Sequence, residues 1–427
     1  MTNTVHRRLA LYLSGYDPRG ASHYHRLYRE QAALQSQASN HRIEVGKRQK
    51  SALHRDCWSV KAHIEGTDTE TRYEFLRWDD VVRSYWHGGH GHYLAMTCSA
   101  TWRSMRDGSL WRLFKGALPM FSVVAGPFIL LLLISLTAIA LLASSVLMGG
   151  QAWHGSSDGT PLWTGVWAAL GLLVMAGLIW LSRFGEQRWY MGWTTRGTWF
   201  CSLQGRGKTP ELESRLDEHA EYLLQCLQDP QWDEVVLIGH SFGATLASLI
   251  AGRAALQNAP ALQDPRFSVL TLGHCMPLLT FQSQAQQARR FIHAAAQALG
   301  PRWLDFSAPA DRCSTALVDP VEALKGMDGL DCSSPKLLST KVASLHHPEN
   351  YQKLRRDYFK FHFHYICASQ LPGAYDYFAI TAGPQTLVQR FASQSSVKNW
   401  RKFECLGGPF PELRRLNQAN TDQDQRQ

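Results

Sequence analysis

The chain has 427 residues, a length that allows two or three domains or one large domain with insertions. Hydrophobic residues make up 45% of it and charged residues 19%, which excludes a largely disordered protein. The net charge of +9 favours an anionic partner. Membrane lipids are preferred to nucleic acid because the sequence has no zinc-finger spacing, RNA-binding signature or basic helix repeat.

The cysteines exclude two further classes of protein. All nine stand singly, from Cys57 to Cys405, with no Cys-x-x-Cys pair. This spacing argues against a disulfide framework and against a zinc site, and it indicates a reducing compartment. The N-terminal residues Met1–Arg8 contain no apolar core of the kind that a secretory signal peptide needs, so no export signal is expected.

The N-terminal region predicts an α/β fold. Leu9–Leu13 is an apolar run typical of a buried strand, and a loop is expected directly after it. One helix and three further strands are predicted next, at 22–37, 43–46, 58–64 and 71–78. Strands and helices that are mixed from the N-terminus onward are typical of an α/β protein.

Three histidines lie close together in the segment Trp-His-Gly-Gly-His-Gly-His, at positions His87, His90 and His92. Histidines at this spacing are candidate metal ligands. However, the glycines make the segment flexible, and no carboxylate or cysteine joins it to support a bound ion. A solvent-exposed loop is predicted instead, and neither a metal ion nor an organic cofactor is expected.

Two long apolar segments predict a membrane hairpin. Phe121–Met148 has about 28 residues without a charge and Leu162–Leu181 has about 20, whereas about 20 apolar residues suffice to span a bilayer. A buried core helix is rarely so long and so uniformly apolar. Two transmembrane helices are therefore expected, joined by a short connector at 149–161.

The charges around these segments predict the orientation of the hairpin. The connector has no lysine or arginine, whereas both flanks are basic and rich in aromatic residues. By the positive-inside rule, both flanks and all the soluble mass are expected to lie in the cytoplasm, on the inner face of a cytoplasmic (inner) membrane. The aromatic residues fit an interfacial belt, and Thr101–Lys115 is expected to lie on the membrane surface as an amphipathic helix. The flanking residues are Arg103, Arg106, Arg112, Lys115, Arg183, Arg188 and Arg196, with Trp102, Trp111, Trp189, Tyr190 and Trp193.

The motif that carries most information is Gly239-His240-Ser241-Phe242-Gly243. A β-branched apolar run, Glu234–Ile238, precedes it, and a helical run, Ala244–Ala251, follows it. A strand, Gly-x-Ser-x-Gly and a helix together predict a sharp, strained turn that lifts the Ser241 hydroxyl above the edge of a sheet. Only small residues fit two positions before and after such a serine. Ser241 is therefore predicted to be a nucleophile.

Helices and strands continue to alternate after the apolar segments. A helix is expected at 209–227, where a threonine cap is followed by proline at the first helical position. Further strands are predicted at 267–273 and 302–309, with a helix at 284–299 between them. The C-terminal residues 414–427 are polar and low in complexity, and they are expected to be disordered.

A nucleophilic serine needs a base, and the base needs an acid that orients it. Asp311 is the preferred acid, because it follows the strand at 302–309 in a loop of small residues, where the acid of such enzymes is found. Two other carboxylates remain open. Asp305 lies inside that strand, where a side chain more often faces the core, and Asp319 lies further along the chain.

The base is expected downstream of the acid. His362 is the preferred residue, and it shares an aromatic-rich segment with His364. His364 remains an alternative, as do His346 and His347, which precede a proline. A lone histidine is more often structural than catalytic, but here a serine and an acid both require a histidine partner.

The negative charge that develops on a substrate carbonyl needs two backbone N–H groups, which form an oxyanion hole. One is expected from Phe242, the residue after the nucleophile. The other is expected from the loop after the first strand, at Gly15 or Tyr16, where Gly15 allows the backbone to approach closely. The amide of Tyr16 is preferred.

The order of these residues resembles the α/β-hydrolase superfamily, in which serine, acid and histidine follow one another along the chain. Within that superfamily, Leu272–Pro277, Ala308–Asp311 and His362-x-x-Tyr365 are similar to the lipase class 3 pattern. Two departures from it are seen. Ser14-Gly15 stands where His-Gly is usual, and the apolar hairpin precedes the nucleophile strand.

The chain also resembles a group of uncharacterised bacterial hydrolases. The shared segments are Ser14–Gly20, Leu76–Asp80 and Tyr375–Pro384. Together these resemblances imply an α/β-hydrolase fold, and the apolar segments add an inserted two-helix transmembrane hairpin to it. The implied divisions are 1–116 and 184–413 for the two parts of the hydrolase domain, 117–183 for the hairpin and 414–427 for the tail.

The implied function is that of a membrane-anchored serine hydrolase, similar to esterases and lipases. It would cleave an ester or thioester, expected to belong to a lipid or acyl substrate, through a Ser-His-Asp triad and an acyl-enzyme. The alternative is a membrane-tethered binding protein that has the same fold but does not catalyse. A transporter is not expected, because the two apolar segments carry no ionisable residue.

Overall fold

The structure is a computed structural model, and it describes residues 4–86, 88–155, 161–188, 190–321 and 335–397. His87 and the whole of the predicted tail lie outside these ranges. The chain divides into two compact units. The first, termed the sheet unit, comprises Met1–His87, Ser104–Met120 and Phe200–Gln427, and the second, the helical unit, comprises Gly88–Arg103 and Phe121–Trp199.

The sheet unit contains one mixed sheet. Its spatial order is β2-β4-β5-β1-β6-β7-β8-β9, and β3 pairs with β4. The six strands from β5 to β9 in this order run parallel, whereas β2, β3 and β4 form an antiparallel extension. The strands are β1 (Arg7–Leu13), β2 (Arg42–Val45), β3 (Gln49–Ala52), β4 (Arg55–Ile64), β5 (Thr67–Leu76), β6 (Glu234–His240), β7 (Phe267–Leu272), β8 (Trp303–Ser307) and β9 (Lys336–Ser339).

Helices lie between these strands and after them along the chain. They are α1 (Gly20–Ser39), α2 (Asp79–Trp86), α3 (His90–Arg106), α4 (Ser109–Gly116), α5 (Leu118–Gly155), α6 (Pro161–Arg188), α7 (Met191–Gln204), α8 (Pro210–Gln228), α9 (Phe242–Gln257), α10 (Ala259–Leu262), α11 (Pro277–Thr280), α12 (Gln286–Leu299), α13 (Pro348–Arg356), α14 (Tyr358–Phe363), α15 (Tyr377–Ala382) and α16 (Leu387–Arg390).

The α/β class predicted from the sequence is confirmed, and most predicted elements lie where the pattern placed them. Two strands, β3 and β9, were not predicted, because both have only four residues and β3 is largely polar and exposed. The loop predicted around the histidines is wrong for His90 and His92, which lie in the first turn of α3. The residues that follow bury Tyr93, Met96 and Ala100 on one face, and this helical spacing overrides the preceding glycines.

The two central strands, β1 and β6, are buried along almost their whole length. Such strands consist of nearly continuous apolar runs because helices cover both faces of a parallel sheet. The main exception is one ion pair, in which Arg8 Nε lies 2.6 Å from Glu234 Oε2, with both side chains buried. Arg8 also donates to the carbonyls of Gly383 and Gln385, and Glu234 accepts from the Leu387 amide. This network joins β1, β6 and the C-terminal segment.

The long helix α5 differs from the helices that pack on the sheet. Among the described residues, Leu118–Ser144 is the one helical stretch long and apolar enough to cross a membrane. Only 17% of its most apolar window is buried, so it does not resemble the core helix of a soluble domain. A second apolar stretch in α6, Gly165–Leu181, is shorter than this test requires.

The buried ion pair of β1 predicts a specific loss of stability. Arg8→Ala leaves the Glu234 carboxylate buried without its charge partner, which should lower the free energy of unfolding by about 3–5 kcal/mol. Arg7→Ala is the matched control, because Arg7 is the neighbouring arginine on the same strand but is exposed. It should cost less than about 1 kcal/mol. Urea denaturation of the detergent-solubilised variants measures both, and equal losses would contradict the prediction.

Candidate active site

Ser241 occupies the turn between β6 and α9. Its backbone angles are φ 60° and ψ −124°, a conformation that non-glycine residues rarely adopt and that costs about 1–3 kcal/mol. The turn is held by a hydrogen bond from the Ser241 amide to the carbonyl of Leu272, at 2.8 Å. The residue is partly exposed, whereas both of its neighbours are buried. The strand, turn and helix therefore present one hydroxyl at the carboxyl edge of the sheet.

The two glycines of the motif are explained by close backbone packing. A Cβ atom on Gly239 would lie 2.3 Å from the carbonyl oxygen of Gly243. A Cβ atom on Gly243 would lie 2.3 Å from the carbonyl oxygen of Leu13, at the end of β1. Neither neighbour is a flexible side chain, so no larger residue fits. The two glycines of the motif are thus required by two close contacts, one within the turn and one between the turn and β1.

Asp311 and His362 form a hydrogen-bonded pair. Asp311 lies in the loop after β8 and His362 in α14, and Asp311 Oδ2 is 2.8 Å from His362 Nδ1. Both side chains are buried. Two further groups donate to the carboxylate: the Tyr365 hydroxyl to Oδ2, at 2.9 Å, and the Cys313 amide to Oδ1, at 2.9 Å. The Tyr365 hydroxyl also accepts from the Ala308 amide, so it is itself held in place.

These contacts determine the charge of Asp311. Burial acts to raise the pKa of this carboxyl, but the charge of His362 and the hydrogen bonds to His362 and Tyr365 outweigh it, and the pKa is lowered. The carboxylate is therefore ionised at neutral pH. An ionised, immobile carboxylate at Nδ1 orients an imidazole and stabilises the imidazolium that forms when Nε2 accepts a proton.

His362 lies beside the residue that precedes Ser241. The rings of His240 and His362 are 5.0 Å apart between centroids, and His240 Nε2 lies 2.8 Å from the His362 carbonyl oxygen. Burial lowers the pKa of His240 to about 3, so its ring is neutral and donates this bond. His362 Nε2 is buried and has no hydrogen-bond partner among the described residues. A nitrogen in this state is available to accept a proton.

The alternative acids have other partners. Asp305 accepts a hydrogen bond from Thr271 Oγ1, at 2.7 Å, and its Oδ2 lies 3.8 Å from His274 Nε2. Burial raises the pKa of Asp305, in contrast to that of Asp311. Asp319 accepts from the amide of Val321. The structure therefore pairs His362 with Asp311 and with neither alternative.

The alternative bases are also placed elsewhere. His364 Nδ1 lies 2.5 Å from the carbonyl of Phe361, and its Nε2 lies 3.1 Å from Thr340 Oγ1. Burial lowers the pKa of His364 to about 4. His346 and His347 lie just before α13, where His347 is exposed. Within the described part of the chain, none of these three rings is hydrogen-bonded to Asp311.

The predicted oxyanion donors lie on both sides of Ser241. Gly15 is next to Ser241, since a Cβ atom placed on it would be 3.1 Å from Ser241 Cβ and 3.3 Å from Oγ. Phe242 is the first residue of α9, where backbone N–H groups have no partner within the helix. The ring of Tyr16 lies 6.3 Å from that of Phe242, edge to face. The segments that carry both donors therefore pack against each other.

Two residues of the site were not assigned a role from the sequence. Tyr365 holds the acid, and its spacing of three from His362 in a helical segment was the available signal, because such residues share a helix face. His240 holds the backbone of His362, and no sequence signal identifies this contact, since it joins residues 122 positions apart. It depends on how α14 packs over the end of β6.

Comparison of the chain with protein-family models, with curated proteins and with solved structures gave no match. Geometry alone therefore has to support a function. It combines a strained, partly exposed serine, a buried carboxylate and imidazole pair, and a glycine backbone directly against the serine. These are the groups that nucleophilic attack on a carbonyl requires.

The buried histidines predict a pH dependence of stability. The pKa of His364 is about 4 in the folded chain and near its ordinary value of 6.5 when unfolded, so the unfolded state binds more protons between these values. The free energy of unfolding should therefore fall as the pH decreases from 6.5 to 4. His364→Gln should reduce this slope by up to about 1.4 kcal/mol per pH unit.

Thr340→Val is the control for this experiment. It removes the hydroxyl that contacts His364 Nε2, and it should lower stability without removing a titrating group. Urea denaturation at intervals between pH 7 and pH 4 measures the slope for each protein. An unchanged slope in His364→Gln would contradict the prediction, because it would show that folding does not lower the pKa of this ring.

Proposed function

We propose that the chain is a membrane-anchored serine hydrolase with an α/β-hydrolase fold, which cleaves an ester or thioester of a lipid or acyl substrate. The observation that carries this proposal is the Asp311–His362 pair, fixed through the His362 carbonyl to His240, directly before the strained Ser241. A structural turn needs neither a strained serine nor a buried carboxylate with three donors.

In this proposal Ser241 Oγ attacks the substrate carbonyl while His362 Nε2 takes its proton. Asp311 stabilises the imidazolium, and N–H groups of Phe242 and of Gly15 or Tyr16 stabilise the oxyanion. The tetrahedral intermediate collapses, the C–O or C–S bond breaks, and the imidazolium protonates the leaving alcohol or thiol. Water, activated by the same imidazole, then hydrolyses the acyl-enzyme and regenerates Ser241.

The strand order supports the hydrolase fold. Ser241 follows β6, the acid loop follows β8, two strands further along the parallel sheet, and His362 comes after β9 at the edge. Gly15 follows β1, which pairs with β6 on its other side. The carboxyl ends of these parallel strands meet at one edge of the sheet, where sites in open α/β sheets form.

The sheet also supports a two-span hairpin. β1 precedes the apolar helices α5 and α6 in sequence, and β6 follows them, yet the two strands are hydrogen-bonded neighbours. Both ends of the apolar segment must therefore lie on the same side of any membrane. If α5 crosses the bilayer, the chain has to cross back, and α6 is the available apolar helix. The basic flanks favour the cytoplasm for the sheet.

A lipid or acyl substrate is proposed because the site would be held close to the headgroups. Helix α4 ends just before α5 and exposes Trp111 and Phe114, whose rings stack at 5.3 Å, with Lys115 Nζ 5.1 Å from the Trp111 ring. Aromatic and basic side chains next to an apolar helix are typical of a membrane interface. No cofactor is required by this chemistry.

A second candidate is a membrane-tethered binding protein that does not catalyse. One observation favours it, namely that no hydrogen bond joins Ser241 Oγ to His362 in the described part of the chain. However, such bonds are often long in enzymes without substrate and tighten when substrate binds. The binding-protein reading also leaves unexplained why the carboxylate and imidazole are buried as a pair.

Labelling with a fluorophosphonate probe tests the proposed nucleophile and its partners. Ser241→Ala should abolish labelling of the purified, detergent-solubilised chain. His362→Gln and Asp311→Asn should slow it by at least about 10³-fold, because the serine loses its base or the base loses its orientation. The matched controls are His364→Gln and Asp305→Asn, which alter a neighbouring histidine and a neighbouring buried acid.

The controls should label within about threefold of the wild type. Labelled protein is quantified by fluorescence, with thermal midpoints measured in parallel to confirm that each variant is folded. Labelling that persists in Ser241→Ala would refute the assignment. No labelling of the folded wild type would favour the binding protein.

The hairpin is tested by cysteine labelling in intact cells. Ser156→Cys, in the connector, should react with a membrane-impermeant maleimide, because the connector faces away from the cytoplasm. Lys353→Cys, on the exposed surface of α13, should react only after the cells are permeabilised. The unsubstituted chain gives the background from its own cysteines. Protection of Ser156→Cys together with reaction of Lys353→Cys would reverse the proposed orientation.

A further inference from the structure

We propose that Trp78 is a positioning residue of the oxyanion hole, which it holds through the peptide bond between Ser14 and Gly15. This inference rests on the proposed function. Trp78 belongs to the segment Leu76–Asp80 and lies between β5 and α2, and it is 1% exposed. Its indole Nε1–H donates a hydrogen bond to the carbonyl oxygen of Ser14, at 3.0 Å.

The planarity of the peptide bond makes this contact directional. In a trans peptide unit the C=O and the following N–H lie in one plane and point in opposite directions. The chain has no cis peptide bond in the part that the structure describes. By fixing the Ser14 carbonyl, the indole therefore fixes the direction of the Gly15 N–H. A hydrogen bond to the carbonyl also polarises the same unit and strengthens its N–H as a donor.

The Gly15 N–H is a candidate donor because Gly15 lies next to Ser241. The α-carbon of Gly15 lies so close to the nucleophile that an added Cβ would stand 3.1 Å from Ser241 Cβ. A peptide unit at this distance borders the space in which a substrate carbonyl would meet Ser241 Oγ. The geometry thus favours the Gly15 amide over the Tyr16 amide as the second donor, since Trp78 orients the Gly15 unit directly.

The same indole contacts the other side of the hole. The Trp78 ring stacks on the Phe242 ring, with centroids 5.6 Å apart and planes inclined by 22°. Phe242 carries the first donor amide. Tyr16 and Phe200 complete a buried aromatic cluster with these two rings, at centroid distances of 5.1–6.3 Å. One side chain therefore fixes both donor segments relative to each other.

The test compares two buried tryptophans that differ in location. Trp303 on β8 is also fully buried, and its Nε1–H also donates at 3.0 Å, to Thr271 Oγ1. Trp78→Phe and Trp303→Phe thus remove the same group from equally buried sites. With a p-nitrophenyl ester as substrate, Trp78→Phe should lower kcat about 10- to 100-fold, less than the 10²- to 10³-fold loss on deleting a donor. Its KM and the pH dependence of kcat/KM should not change.

The control variant Trp303→Phe should lower the thermal midpoint but change kcat less than threefold. A trifluoromethyl ketone, which forms an oxyanion on Ser241, should lose affinity for Trp78→Phe by a factor similar to the loss in kcat. Equal kcat values for the two variants would overturn the role of Trp78. A shift in the pH profile would also overturn it, because the effect would then act through His362.

An isosteric replacement covers the case in which Trp78→Phe does not fold. 3-Benzothienylalanine, incorporated at position 78 by nonsense suppression, keeps the shape of the indole and replaces its N–H by sulfur. It should reproduce the loss of kcat with the stacking intact, and a wild-type kcat would refute the proposal. Failure of the wild type to label at Ser241 would instead refute the hydrolase itself, so the two hypotheses fail separately.

Discussion

The close approach between the end of β1 and the first turn of α9 is the contact on which the site depends. Gly243 permits it, because the Leu13 carbonyl occupies the space of a Cβ atom. This packing brings the Ser14–Gly15 peptide against Ser241, which stands in a strained turn. The strain is tolerated because β6, which leads into the turn, is held between two parallel strands and the helix that follows the turn is buried.

The proposed acid and base, Asp311 and His362, are held in place by electrostatic interactions. A buried carboxylate is costly, and the hydrogen bonds that Asp311 forms with His362, Tyr365 and the Cys313 amide offset that cost. Asp305 shows the contrast within the same sheet unit, since burial raises its pKa. The neutral rings of His240 and His364 flank the pair without adding charge. The protein thus pairs the ionised Asp311 carboxylate with His362, whose Nε2 has no hydrogen-bond partner among the described residues.

The features of the fold and the site that could be predicted from the sequence are those with a local signal, that is, a pattern formed by residues close together in the chain. Gly239 and Gly243 report contacts within a few residues or with a neighbouring strand, so the motif predicted the turn, and the period of apolar residues predicted most strands. Trp78 and His240 act through partners that are distant in sequence, and no periodicity identifies such pairs. The prediction of a loop at His90 was wrong for a similar reason. The neighbouring glycines favoured a loop, but the residues that α3 buries on one face stabilise a helix.

The pairing of β1 with β6 has a consequence for how the chain is made. Arg8 and Glu234 are 226 residues apart, and both apolar helices are synthesised between them. Because translation adds about 5–20 residues per second, roughly 10–45 s pass between the synthesis of β1 and that of β6. During that time one edge of a strand whose last five residues are apolar stays open, which is the kind of edge that recruits other chains. Release from the ribosome before β6 emerges would therefore leave a fragment prone to aggregate.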